Sequence, residues 1–226
     1  MLVDSIRRQE WIWAIFIFLF SIFSALLYFF LVYRPSVALS SGGFELPGAG
    51  SRRRIRELQA QIHHLDKAHH HAQLADIYLR QGKLAQAEQS YRLALERDAE
   101  DPDTRAHLGL CLLRQHRATE ARPLLEEVLR ENPEHDYGQT RMALAEALAE
   151  LGNTEESIAH WKAVTEVHGY TRARVQLAEL YLAQGQSEPA RGLIEEVLHE
   201  YPHLPAFQRR RERSWLRRAK ALVRKL

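Results

Sequence analysis

Cysteine is nearly absent: Cys111 is the only one in 226 residues, so no disulfide can close within the chain. Its chemistry is that of a small buried hydrophobe. No glycine-rich phosphate loop, serine elbow or HExxH pair occurs, which removes the usual footholds of nucleotide, acyl-transfer and zinc-hydrolase chemistry. No cysteine or carboxylate pattern with zinc spacing accompanies the histidine cluster His63, His64, His69, His70 and His71, although His63/His70 and His64/His71 recur seven apart. A net charge of +2 is too small to point to nucleic acid. Carboxylates are plentiful, but they alternate with Lys and Arg at helical spacing, where solvation and i,i+4 pairing account for them. No catalytic residue, cofactor or metal is therefore expected, and the chain reads as a non-enzyme.

What is present is unevenly spread. Hydrophobic residues make up 46% of the chain and charged residues 27%. The long apolar character lies before residue 34 and most of the charge after it. From Trp11 to Tyr33 there is no charge, proline or glycine. A bilayer core of ~30 Å needs about 20 apolar residues at helical rise, so this run is expected to be a single transmembrane helix. Trp11, Trp13, Tyr28 and Tyr33 lie toward its ends, and Arg7, Arg8 and Arg34 bracket it. Signal-peptide cores run ~7–15 residues, which disfavours cleavage after Ser36-Val37-Ala38. Arg34, Arg52, Arg53, Arg54 and Arg56 tilt the charge tally toward a cytoplasmic carboxyl side. The expected location is thus a bacterial-type inner membrane, crossed once, with residues 1–10 as a flank. Residues 34–51, rich in Gly, Ser and Pro, read as a flexible linker.

Beyond residue 67 the chain repeats. One spacing of small, bulky and turn residues takes in Leu74, Ala75, Tyr78, Gly82, Ala87, Tyr91 and Ala94 in the first copy. The second has Leu108, Gly109, Leu112, His116, Ala121, Leu125 and Val128, closed by Pro133. The third has Leu144, Ala145, Leu148, Gly152, Ser157, Trp161 and Val164, and the fourth Leu177, Ala178, Tyr181, Gly185, Ala190, Ile194 and Val197, closed by Pro202. Copies start at Ala68, Pro102, Gly138 and Thr171. Each holds two apolar stripes of helical period with a turn residue between them. A hairpin of this kind cannot bury its apolar face alone, so neighbours must stack and the ends need caps.

These positions resemble the tetratricopeptide repeat (TPR), whose period is 34 residues, over 68–204 in units 68–101, 102–137, 138–170 and 171–204. The fold class implied is all-α: a membrane helix, then a solenoid of about four hairpins, then a capping helix. His116 stands where the turn glycine belongs, and two extra residues near Glu134–Tyr137 are expected to loosen packing between the second and third copies. The plan also resembles bacterial membrane-anchored TPR proteins of unassigned role.

Two flanks complete the chain. Residues 52–67 carry a stripe of Ile55, Leu58, Ile62 and Leu65, with Ser51 as candidate N-cap. The stripe suits a cap on the first repeat or a short dimerising coiled coil. Residues 205–226 form a basic amphipathic helix, with Trp215, Leu216, Ala219, Leu222, Val223 and Leu226 on its apolar face. Its Arg209, Arg210, Arg213, Arg217, Arg218 and Arg224 are candidate contacts for anionic lipid if a membrane is near.

The resemblance implies protein binding on the concave face lined by each first helix. Carried over position by position, that face comprises Asp76, Leu79 and Arg80, then Leu110, Leu113 and Arg114, then Met142, Glu146 and Glu150, and finally Arg172 and Glu179. Ala72 and Asp76 stand where the family's carboxylate clamp has lysine and asparagine, so that mode is excluded. The expected ligand is a protein segment with apolar anchors and some basic residues. The leading reading is a membrane-anchored scaffold; the alternatives are a periplasm-facing assembly factor, similar in layout to TPR subunits of cytochrome c maturation or envelope assembly, and a structural oligomeriser acting through the transmembrane helix and residues 52–66.

Overall fold

The computed structural model describes residues 18–24 and 49–226. Contact clustering divides the chain into two units, residues 1–50 and 51–226. In the first, residues 18–24 are helical. Among the described residues no helix is long and apolar enough to cross a membrane. This overturns the single-pass inner-membrane location, and the choice of side that rested on it. The rest of the 11–33 run and residues 34–48 of the expected linker lie outside the described residues.

From residue 49 on, ten helices follow one another, and the described residues contain no strand. They are α1 (Ala49–His64), α2 (Ala68–Arg80), α3 (Leu84–Arg97), α4 (Pro102–Arg114) and α5 (Ala118–Glu131), then α6 (Gln139–Glu150), α7 (Thr154–Val167), α8 (Thr171–Ala183), α9 (Ser187–Glu200) and α10 (Ala206–Val223). Helices α2 to α9 pair as four hairpins, and the second helix of each packs on the first helix of the next.

The repeat spacing works through burial. Ala75, Ala145 and Ala178 have no exposed surface, and Tyr91, Leu125, Trp161 and Ile194 fill the space opposite the small positions. Gly109 shows why that position stays small: a Cβ there would lie 2.8 Å from two carbons of the buried Leu125 side chain. In the third hairpin Ser157 replaces alanine, and its hydroxyl donates to Ala145 O at 2.7 Å, so the buried oxygen is satisfied across the seam.

One turn recurs four times. Lys83, Arg117, Asn153 and Gln186 donate backbone N–H bonds to the carbonyls of Tyr78, Leu112, Leu148 and Tyr181, at 2.8–3.0 Å. This is the six-to-one bond that closes a helix through a left-handed residue. That residue is glycine three times and His116, at φ 59°, once. The left-handed conformation costs an L-residue roughly 1–2 kcal/mol, and the His116 side chain is 87% exposed. His116→Gly is therefore expected to raise stability by about 1 kcal/mol, less whatever the exposed His116–Glu150 contact supplies; urea unfolding checks it.

The insertion does not loosen the rod. Residues His135–Gly138 form a 3-10 turn with Asp136, Tyr137 and Gly138 all left-handed. It is pinned by His135, whose buried ring lies 2.8 Å from Thr140 Oγ1 and 3.0 Å from Asp103. One apolar cluster runs uninterrupted past it, from Leu58 through Leu125 and Leu129 to Ala143, Leu144, Ala147 and Leu148. The second cluster begins on the same helix α6, with Met142 and Ala145, and continues to Ala219 and Leu222 of α10. The division of the core thus falls across α6, one element later than the inserted residues.

The flanks act as caps. Helix α1 starts at Ala49, so Ser51 lies inside it rather than capping it, and Leu58 is wholly buried in the first cluster with Ile55 and Ile62 against it. Ile55, Leu58 and Ile62 thus pack within the chain, while Leu65, the last residue of the stripe, is 52% exposed. Asp66, just after α1, receives two bonds of 2.6 Å from Arg97 of α3. Those bonds, and one from His71, hold the Asp66 carboxyl at about 2.

Candidate binding groove

The first helices α2, α4, α6 and α8 line one side of the solenoid. The expected groove residues divide sharply there. Leu79 and Leu113 are 7% exposed and Met142 only 2%, so these belong to the core. Of the expected apolar groove residues only Leu110 keeps some surface, half-buried and packed against the first cluster. A test by Leu113→Glu and Met142→Glu would damage the fold rather than the groove.

The acids are not free either. Tyr91 donates its hydroxyl to Asp76 at 2.6 Å, and His107 Nδ1 lies 3.1 Å from the same oxygen. Arg172 donates to Glu146, which also accepts from Gln176 at 3.2 Å. Glu179 takes a two-pronged contact from Arg218 of α10, at 2.5 and 2.7 Å. Glu150 stands in looser contact, 3.3 Å from His116. Arg114 reaches back to Leu79 O at 3.4 Å, while Arg80 is exposed. Polar contacts thus join α2 to α4 through Asp76 and His107, α6 to α8 through Glu146 and Arg172, and α8 to the cap α10 through Glu179 and Arg218. The surface is nearly charge-balanced rather than acidic.

Arg218 therefore faces inward, with its guanidinium also 5.2 Å from the Trp215 ring. Arg209, Arg210, Arg213, Arg217 and Arg224 are exposed. With no membrane-crossing helix among the described residues, nothing in the structure brings lipid to them. The histidine cluster is partly spent on the fold: buried His70 lies 3.0 Å from Leu65 O, and buried His71 lies 2.5 Å from Asp66. Among the described residues no group of three or more His, Cys, Asp or Glu is placed to hold a metal.

His107 is the groove residue that the family positions miss. Its bond to Asp76 raises its pKa above the ordinary imidazole value, against the pull of desolvation. On α7, His160 goes the other way: burial lowers it, and among the described residues its Nδ1 has no hydrogen-bond partner. The signs separate cleanly. His107 contributes stability that is complete below pH ~6.5 and is lost as pH rises through its folded value. His160 contributes stability present above pH ~6.5 and lost as pH falls through its lowered value. An NMR titration of the histidine rings is expected to place His107 above and His160 below the free imidazole, and Asp76→Asn to bring His107 back down.

Stacked helix pairs with a lined inner face define a helical-repeat solenoid. The tetratricopeptide-repeat family profile matches residues 72–136 and 142–205, more than half of the chain, and a second profile of the same description matches 112–168. The chain belongs to the tetratricopeptide-repeat family. Over 109 residues it is 34% identical to cellulose synthase operon protein C of Komagataeibacter xylinus and 31% identical to cellulose synthase 1 operon protein C of the same organism. Each match takes in 48% of this chain and spans only 8% of the relative's length. Among solved structures, MamA (41-end) from Desulfovibrio magneticus RS-1 superposes with a TM-score of 0.64 at 15% identity, covering 71% of this chain and 90% of that one. YrrB, described as a TPR protein with an unusual peptide-binding site, gives 0.59 at 19% identity, covering 69% and 81%. At such identities the likeness is one of fold.

Proposed function

We propose that the chain is a non-catalytic scaffold that holds a segment of another protein along the inner face of α2, α4, α6 and α8. The observation that carries this is the partial exposure of Leu110 at the middle of that face, flanked by polar groups already paired across repeats. A charge-balanced surface favours a ligand that supplies an apolar anchor and hydrogen bonds rather than a strong opposite charge. Glu150, the least committed acid, gives one place for a basic side chain. YrrB, which has this fold, is itself described as binding peptide.

The test is site-specific photocrosslinking in cells, with the photoreactive residue at Leu110 or at exposed Val167 on α7. A discrete protein adduct is expected from Leu110 alone, and its loss is expected in a chain also carrying Glu150→Arg. Identical adducts from both positions would exclude the groove. Leu110→Glu, at a half-buried position packed on the first cluster, is expected to cost about 1 kcal/mol, so melting curves accompany the crosslinking.

A further inference from the structure

The most one-sided surface of the molecule lies outside the groove, on α10. Nine of the chain's 31 basic residues but only one of its 29 acids lie from Ala206 onward, leaving 22 basic and 28 acidic residues elsewhere. Within this segment Arg210, Arg213, Arg217, Lys220 and Arg224 recur at intervals of three, four, three and four, and all five are exposed. That spacing places them in one straight row, about 21 Å long at helical rise. The opposite side of α10 carries buried Ala219 and Leu222, with Trp215 and Leu226 packed against the second cluster, so the row is held firmly outward.

Like charges at i,i+3 and i,i+4 repel, so the row works against the helix that bears it. No acid of the described residues lies within ion-pair distance of it. Among the described residues the ion pairs of α10 are those of Arg211 with Glu212 and Arg218 with Glu179, neither of them in the row.

We propose that this row docks an acidic, helical polypeptide segment with carboxylates at the same three–four spacing. A narrow ligand is favoured over a broad one. Helix α9, packed beside α10, exposes Glu195, which has no ion pair among the described residues, and Glu196 and Glu200, which share Arg174 of α8. Neighbouring helices lie about 8–10 Å apart, comparable to the screening length at physiological salt. A bilayer or nucleic-acid duplex pressed on the row meets those carboxylates, whereas one polypeptide segment does not. The row also has no aromatic residue on which a base could stack. The site is on a different helix from the groove and stands or falls separately from it.

The experiment follows fluorescence anisotropy of a labelled helical peptide, with Glu at three–four spacing, titrated with the full chain. Its controls are a scrambled peptide of equal composition, a single-stranded oligonucleotide and phosphatidylserine vesicles. The variant Arg213→Glu/Arg217→Glu/Lys220→Glu is compared with a charge-matched one, Arg52→Glu/Arg56→Glu/Arg130→Glu, at exposed positions elsewhere. The patterned peptide is expected to bind the parent and the charge-matched variant alike, and the row variant at least about tenfold more weakly. Should the row variant fail to fold, Arg213→Gln/Arg217→Gln is expected to weaken binding about threefold with an unchanged melting curve. Equal loss in the charge-matched variant, equal binding of the scrambled peptide, or no peptide binding to the parent would overturn the proposal. So would finding that the row variant releases the oligonucleotide or the vesicles but not the peptide.

Discussion

Trp161→Ala is expected to cost about 4 kcal/mol, the range for emptying a fully buried aromatic site. Trp161 is 1% exposed and sits in the second cluster with Met142, Ala145, Val164, Leu177 and Ala178. Its neighbours include alanines that are small because the ring is large, so little can collapse into the space. A loss of that size is a large share of the ~5–15 kcal/mol that holds a typical domain together. It falls on only one of the two clusters, since Leu58, Tyr91 and Leu125 belong to the other. Urea unfolding followed by far-ultraviolet circular dichroism is expected to split into two steps, the hairpins of α7 to α9 and the cap α10 melting first. A single transition at the parent midpoint would contradict the placement of Trp161.

Met142→Glu is expected to be comparably severe, above about 3 kcal/mol. Met142 is among the fully buried side chains, packed with Ala145, Val175 and the rest of the second cluster. A carboxylate there shares a cavity with Arg172 and Arg211, but Arg172 is already held by Glu146, and burying a further charge in the packed second cluster costs several kcal/mol or is avoided by taking up a proton. The deficit should therefore shrink at acid pH, where the inserted carboxyl is neutral. Thermal melts at neutral and mildly acid pH check both parts. Parent-like melting would put Met142 on the surface after all.

The contrast between Met142 and Leu110 shows where the sequence stops being readable. The hairpins could be read because the small, bulky and turn positions all act through local helical geometry. Even His116 was placed correctly in the turn, since Leu112 and Arg117 close the same hydrogen bond around it as their counterparts do around glycine. The groove was harder. Helix α6 reads QTRMALAEALAE, with Ala or Leu on nearly every side, so its sequence does not say which face is inward. The pairing of Glu146 with Arg172 and of Glu179 with Arg218 joins residues 26 and 39 apart, a relation set by how repeats stack. His107 carried a faint signal, standing one helical turn before Leu110 and 31 residues after the acid it serves. A count of inserted residues points to looser packing because it says nothing of His135, whose buried ring fastens the turn to Asp103 and Thr140.

Helix α6 shares its two sides between clusters that otherwise do not mix, and this gives the rod a joint at mid-length. Each half can loosen while the other keeps its shape, because stacked repeats touch only their neighbours. A segment lying along the inner face from α2 to α8 would cross that joint and splint it. Occupancy and stiffness are then coupled by mass action: the guest holds the halves in line, and a stiffer joint holds the guest more tightly.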